Sequence, residues 1–470
     1  MKRLLLACVM LAACTSTTEL GEPPTTAPTT TIAPTTTIAP TTTPTDQATR
    51  EVAPSETYGL GDPLYPDAGS PGIDVSHYDL AIDTTGGNFA AVATIDLVVT
   101  DPALTVLSFD LVGLMVESIE LNGKPVAFAQ SETEVNIGSD GTAEAVVEIV
   151  YGGTPAAIDA GIGLGNVGWA SAEWGAYVVS EPTGAATWFP ANNHPSDKAT
   201  FTIDITVDPG TTAVGPGPVL PPSDNTFHFK PADEMAPYLL SVVLGEFAVS
   251  ETTGPSGIPI KVALPPSITV FPYDLDQMIT DLETILGPYP FDSYGVVVVP
   301  ERLGYALENQ TLSLFDLNTY TSQQIHAHEL AHQWFGNSVS PAEWDDIWLN
   351  EGFATWIDTW WASDGDFASF DAIVRETPPG FLGPLVPERT EELFSTTMYV
   401  RGALTLEALR RTIGQDDFIT LLGEWLNRYG GSAASNQDFL ALVDERQGAE
   451  AAALVTEWVE AEVPPVLPPL

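Results

Sequence analysis

The sequence predicts an α+β protein in which strands come first and helices second. Three observations carry this reading. Between residues 72 and 250, short alternating or apolar runs such as 77–82, 90–99 and 145–150 are separated by Gly, Pro, Asp and Asn turns, the signature of an all-β domain. From Asp274 the apolar spacing becomes helical through Leu286, followed by a buried strand at 295–300. A third stretch, 326–356, holds three of the chain's six histidines in its first seven residues and reads as two helices broken by Gly336, Asn337, Ser338 and Pro341.

Taken in order, residues 1–14, MKRLLLACVMLAAC, have a basic start at Lys2 and Arg3 and an apolar core too short to span a bilayer. They read as an export signal. The end, Leu11-Ala-Ala-Cys14, resembles the bacterial lipobox, which implies cleavage before Cys14 and a lipid anchor on its sulfur. Cys8 leaves with residues 1–13, so no disulfide can form in what remains. Residues 14–55 are rich in Thr, Pro and Ala, with a six-residue repeat starting at Ala27, Ala33 and Ala39. Such a segment cannot bury enough apolar surface to fold. At about 3 Å per residue it forms a stalk reaching on the order of 100 Å.

The folded part is too long for one ordinary core and divides into a β domain at 56–252 and a helical domain at 253–463, with a Pro-rich tail at 464–470. The formal net charge is -48, from 63 acidic and 15 basic residues. That balance argues against nucleic acid and against adhesion to anionic lipid by charge. Acidic, lysine-poor surfaces suit a salty exterior.

Chemistry concentrates at 326–356. His328 and His332 bracket Glu329, and residues four apart on a helix share a face, so both imidazoles can reach one ion. His326, two residues before His328, points to another face and is not expected to be a ligand. Zinc in a hydrolase usually takes three protein ligands. The third is expected at Glu351, after eighteen intervening residues from His332, on a second helix over 347–361. Glu329, beside the metal but not on it, suits a general base toward water. Asp358, two turns after Glu351, can accept a hydrogen bond from a ligating imidazole.

The run HELAHQWFGN, then WLNEGFA with eighteen residues between His332 and Glu351, resembles the gluzincin aminopeptidases of peptidase family M1, the aminopeptidase N family. The resemblance implies a saddle-like β domain followed by a thermolysin-like, mainly helical catalytic domain with a small sheet. It covers roughly the whole folded part, as a two-domain version with a more open cleft. Tyr305-Ala-Leu-Glu-Asn309 resembles the family's Gly-Ala-Met-Glu-Asn motif. This implies that Glu308, on an exposed edge strand, pairs with the substrate amine, and that the strand backbone at Ala306 pairs with the peptide. Glu181 matches the β-domain Glu or Gln that helps bind the same amine. Thr397-Met-Tyr-Val-Arg-Gly-Ala403 resembles the Tyr-x-Lys-Gly-Ala segment, which makes Tyr399 the oxyanion donor and puts Arg401 in place of Lys. The loop 187–199 stands where the family has a proline- and aspartate-rich signature, and His194 in it is expected to be structural.

The family resemblance thus implies a zinc aminopeptidase acting on peptides with a free N-terminus, with one zinc per chain, and the lipobox-like end implies a lipid anchor at Cys14 outside a bacterial membrane; a monomer is expected. Two alternatives stay open on the sequence: a zinc endopeptidase of the same fold, and a non-catalytic surface binding module.

Overall fold

A computed structural model describes residues 58–254, 257–376 and 383–469. The expected export signal, Cys14 and the expected Thr/Pro stalk lie outside the described residues. Among the described residues no helix is long and apolar enough to cross a membrane.

The β-rich half is built on a seven-stranded sheet ordered Thr226–Phe229, Thr200–Thr206, Ile73–Asp83, Phe89–Val99, Glu144–Gly153, Met115–Leu121, Lys124–Pro125. Ile73–Asp83 runs antiparallel to Phe89–Val99 and parallel to Thr200–Thr206. Its alternation buries Ile73 and Val75, then Tyr78, Leu80 and Ile82. The change of phase falls at a bulge between Val75 and His77, where one extra residue rotates the pattern. A five-stranded sheet, ordered Thr212–Val214, Val243–Gly245, Gly175–Val179, Asn166–Ala172, Ile158–Asp159, leads its third strand straight to Glu181.

The second half opens with a four-stranded sheet ordered Ala248–Thr253, Pro259–Leu264, Tyr294–Val298, Ser313–Phe315. Tyr294–Val298 is buried at every position, as the unbroken Gly-Val-Val-Val-Val run requires. Helix α1 (Leu275–Leu286) is started by the Asp274 side chain accepting from Gln277 N–H and buries Leu275, Met278, Ile279, Leu282 and Leu286. Helix α2 (Gln323–Ala331) starts where Ser322 accepts from Ile325 N–H. Gln323 at its start is exposed, and from His326 to Ala331 it is buried apart from a partly exposed His328. Helix α3 (Trp348–Ala362) packs back on α2, and α4 (Phe367–Glu376) follows it.

Between α2 and α3 the chain does more than turn, since Val339–Pro341 pairs in parallel with Ser432–Ala434 far downstream. The last part holds a π-helical turn, Thr397–Arg401, then α5 (Gly402–Ile413), α6 (Gln415–Tyr429), α7 (Asn436–Gln447) and α8 (Ala449–Glu460). One continuous apolar core runs through both halves. The fold is therefore the expected α+β one, a β-rich domain followed by a mainly helical one with a small sheet.

Candidate active site

The expected metal donors meet. One donor atom from each of His328, His332 and Glu351 lies within 4.8 Å of the others. Glu351 Oε2 is 3.3 Å from His328 Nε2 and 3.5 Å from His332 Nε2. The other ring nitrogens are taken: His328 Nδ1 is 3.0 Å from Asp358 Oδ2, and His332 Nδ1 is 3.1 Å from the Phe335 carbonyl. Each acceptor holds the ring proton on Nδ1, which leaves both Nε2 lone pairs aimed at one point. Two neutral imidazoles and a carboxylate at this spacing fit a zinc ion with one coordination position left over. Burial alone would raise the Glu351 carboxyl, but His332 and His328, whose acidic neighbours favour the protonated rings when no ion is bound, bring it down to about 2, so it stays an anion.

Glu329 projects from α2 between the two imidazoles in sequence and is buried. Burial pushes its carboxyl up to about 8, against the pull of His328 and His332. A divalent cation beside it would draw it back toward ionisation. That combination gives a carboxylate able both to take and to release a proton near neutral pH.

Tyr399 comes from the π-helical turn, and its ring stacks over His328 with centroids 5.9 Å apart and planes at 20°. Burial, then the carboxylates Glu351, Glu181, Glu308 and Glu329, hold its hydroxyl well above the ordinary tyrosine range, so it remains a donor. The turn is anchored by Arg401, fully buried, whose guanidinium donates to the carbonyls of Trp458 (2.7 Å), Ala461 (2.6 Å) and Gly383. The replacement of Lys by Arg thus does more than keep a charge: a planar fork reaches several carbonyls at once.

Glu181 and Glu308 are drawn into the same centre. They are 8% and 5% exposed, and in each Oε1 is buried without a hydrogen-bond partner among the described residues. Burial first, then the neighbouring Glu308, Glu351 and Glu329, raise the Glu181 carboxyl well above its usual range. Burial also raises Glu308, with Glu351 adding and His332 opposing. Two buried acids in one place cannot both ionise without a cation between them.

One expectation is corrected here. Residues 305–309 do not form a regular exposed edge strand: a single antiparallel bridge joins Leu307 to Leu314, and Glu308 beyond it is buried. The pairing stops because the Glu308 carbonyl accepts instead from the side chains of Gln333 and Asn337. Ala306 is half-buried, and its N–H and C=O make no hydrogen bond among the described residues.

His326 lies apart from the donors, as its position on the helix predicts: its ring stacks on Phe315 at 3.9 Å, and Nε2 is 2.9 Å from the Tyr320 carbonyl. His194 is buried in its loop, with Nδ1 2.7 Å from Ser196 Oγ and Nε2 3.4 Å from Asp62 Oδ2. Gln333 escaped the sequence reading, and Asn337 entered it only as a helix breaker. The signal was there, as two amides in a stretch otherwise apolar or metal-binding.

Comparison with known proteins gives the same picture. The family model described as the peptidase family M1 domain matches residues 274–458. A crystal structure of an M1 zinc metallopeptidase from Deinococcus radiodurans superposes with a TM-score of 0.81 at 30% identity, covering 87% of this chain and 99% of that one. A leucyl aminopeptidase of Saccharolobus solfataricus is 26% identical over 427 residues, 82% of this chain and 53% of that protein. The human endoplasmic reticulum aminopeptidase 1 is 29% identical over 295 residues, 55% of this chain and 31% of that protein. The chain spans about half the length, or less, of the curated relatives it matches.

Proposed function

The chain belongs to peptidase family M1, and from that premise we propose that it is a zinc-dependent aminopeptidase that removes N-terminal residues from peptides. The observation that carries the exopeptidase reading is the pair of buried, unpartnered carboxylate oxygens on Glu181 and Glu308 beside the donor cluster. Such a pair needs a cation, and the α-ammonium of a peptide is one that brings its own scissile bond a fixed distance away.

His328, His332 and Glu351 would hold the zinc. When bound, zinc acts as a Lewis acid toward the peptide carbonyl and makes water acidic enough to be deprotonated near neutral pH. Glu329 takes a proton from the attacking water as its oxygen adds to the carbonyl carbon. It then gives that proton to the leaving nitrogen as the C–N bond breaks. Tyr399 donates its hydroxyl proton in a hydrogen bond to the developing oxyanion. The free N–H and C=O of Ala306 pair with the backbone of the peptide, adding it alongside the segment that carries Glu308.

The Leu11-Ala-Ala-Cys14 sequence and the Thr/Pro repeats support export, with a lipid anchor at Cys14 and a stalk holding a monomeric enzyme off the membrane.

The test pairs free-amine substrates with their acetylated forms, on the parent protein and on Glu329→Gln. The proposal expects cleavage of the free-amine set only, abolished by chelation. In Glu329→Gln it expects turnover to fall by several orders of magnitude with one zinc per chain retained. Cleavage of both sets would replace this reading with an endopeptidase. Unchanged function in Glu329→Gln would favour a binding module.

A further inference from the structure

We propose that Gln333 and Asn337 are positioning residues that clamp Glu308 to the metal-binding helix and so set the distance between amine pocket and scissile bond. The proposal rests on the amine-binding reading of Glu308 given above.

The geometry is unusual for a backbone carbonyl. Glu308 C=O receives no strand partner; Gln333 Nε2 donates to it at 2.8 Å and Asn337 Nδ2 at 2.7 Å. Both amides are fully buried. Their orientation is not arbitrary. Gln333 Oε1 accepts from Thr311 N–H at 3.0 Å and from the Tyr289 hydroxyl at 3.4 Å, which points its nitrogen at Glu308. Asn337 is held by its own backbone: its N–H donates to His332 C=O at 3.0 Å, and its C=O accepts from Lys198 Nζ at 2.8 Å. The same ammonium reaches Ser338 C=O at 2.9 Å, so a buried lysine of the β-rich half holds the loop. On the other side of Glu308, Gln310 N–H donates to Leu239 C=O at 3.1 Å and its side-chain amide to Glu234 C=O at 3.0 Å.

The consequence follows from sequence position. Gln333 is the residue after the metal ligand His332, and Asn337 lies five residues after it. The donors that hold Glu308 and one of the donors that would hold the ion therefore belong to a single rigid stretch. A pocket for the ammonium tied to the same piece of chain as the metal keeps the spacing that selects one residue per cut. Hydrogen bonds to a carbonyl lacking any other partner carry that constraint without touching substrate. Loosening them should change recognition of the amine before it changes the chemistry.

The experiment uses the purified protein and the variants Gln333→Met, Asn337→Ala, their combination, and Glu308→Gln as a reference. Each is assayed on leucyl aminomethylcoumarin and on its N-acetyl form, with zinc content and melting temperature measured alongside. The expected result is a KM raised about tenfold in each single variant, the scale of one buried hydrogen bond, and further in the double. In these variants kcat stays within about threefold, one zinc per chain is kept, and the preference for the free amine over the acetylated form falls. Asn337→Ala is the smaller change, and it decides alone if Gln333→Met does not fold. Folded, zinc-loaded variants with the parent's KM and the parent's preference overturn the clamp. So does a loss of zinc in proportion to activity, which would mean that the amides hold the helix and not the pocket. If Glu308→Gln itself leaves KM and preference unchanged, the amine-binding reading fails and the clamp falls with it.

Discussion

Replacing Gly352 by alanine tests whether the crossing of α3 and α5 sets the active site. Gly352 follows the metal donor Glu351 directly, and Gly402 follows the π-helical turn that carries Tyr399. A Cβ on Gly352 would stand 2.7 Å from Gly402 Cα and 2.8 Å from its carbonyl carbon, and a Cβ on Gly402 would stand 2.7 Å from Gly352 Cα. The obstacles are backbone atoms, so no side-chain rotation relieves them. Non-bonded carbons rest at about 3.5–4.0 Å, so the helices must part by roughly 0.8 Å or more. In an open helix the same change would stabilise by about 1 kcal/mol. Here an overpacking cost of about 1–3 kcal/mol opposes it and wins. A misplacement approaching 1 Å of Tyr399 relative to Glu351 costs about 10²-fold in rate. The expected outcome is a kcat lower by about two orders of magnitude, zinc content unchanged, and a slightly lower melting temperature. Steady-state kinetics, metal analysis and thermal unfolding on one preparation read all three. A kcat within threefold of the parent together with a raised melting temperature would refute the reasoning, because the helix-propensity gain would then have gone unopposed.

Other outcomes follow from the same geometry. Tyr399→Phe removes the oxyanion donor and keeps the ring over His328; kcat should fall about 10²–10³-fold with zinc retained. Asp358→Ala frees His328 Nδ1, and zinc affinity measured by competition with a chelator should weaken about 10–100-fold. Asp110 is half-buried, and desolvation of its carboxyl pushes it up to about 7 although it accepts from the N–H groups of Gly69 and Asn193. A folded value raised above the unfolded 3.8 contributes stability that is full below about pH 4 and lost as pH rises through about 7. Asp110→Asn keeps an oxygen for the two donors, so its melting temperature should decline less than the parent's across that window. An equal decline would mean that Asp110 is ionised throughout.

The order strands then helices was legible from periodicity alone, because the buried faces of Ile73–Asp83 and Leu275–Leu286 repeat at two residues and at three to four. The metal donors were legible for the same local reason, since His328 and His332 need only one helix to become neighbours. Glu351 and Asp358, on the second helix, required the two helices to pack together, which the helix breakers between 336 and 341 and the apolar run 347–361 led one to expect. What the residues could not announce was how the 305–309 segment ends. The resemblance implies an exposed edge strand there, yet the acceptor that would continue the ladder is taken by amides from elsewhere in the chain. Strand propensity is a local preference, and partners 25 and 29 residues away outweighed it.

The sequence by itself therefore determined the fold class, the donor types and the metal they suit, because these depend on short-range periodicity and on side-chain chemistry. Only the tertiary structure decided which ring nitrogens converge, that Glu181 and Glu308, assigned by the resemblance to one amine, are each buried with an Oε1 lacking a partner among the described residues, and that Gly352 and Gly402 touch. Those facts depend on burial and on approach between segments distant in the chain. They arise when the core closes, and no window of sequence contains them.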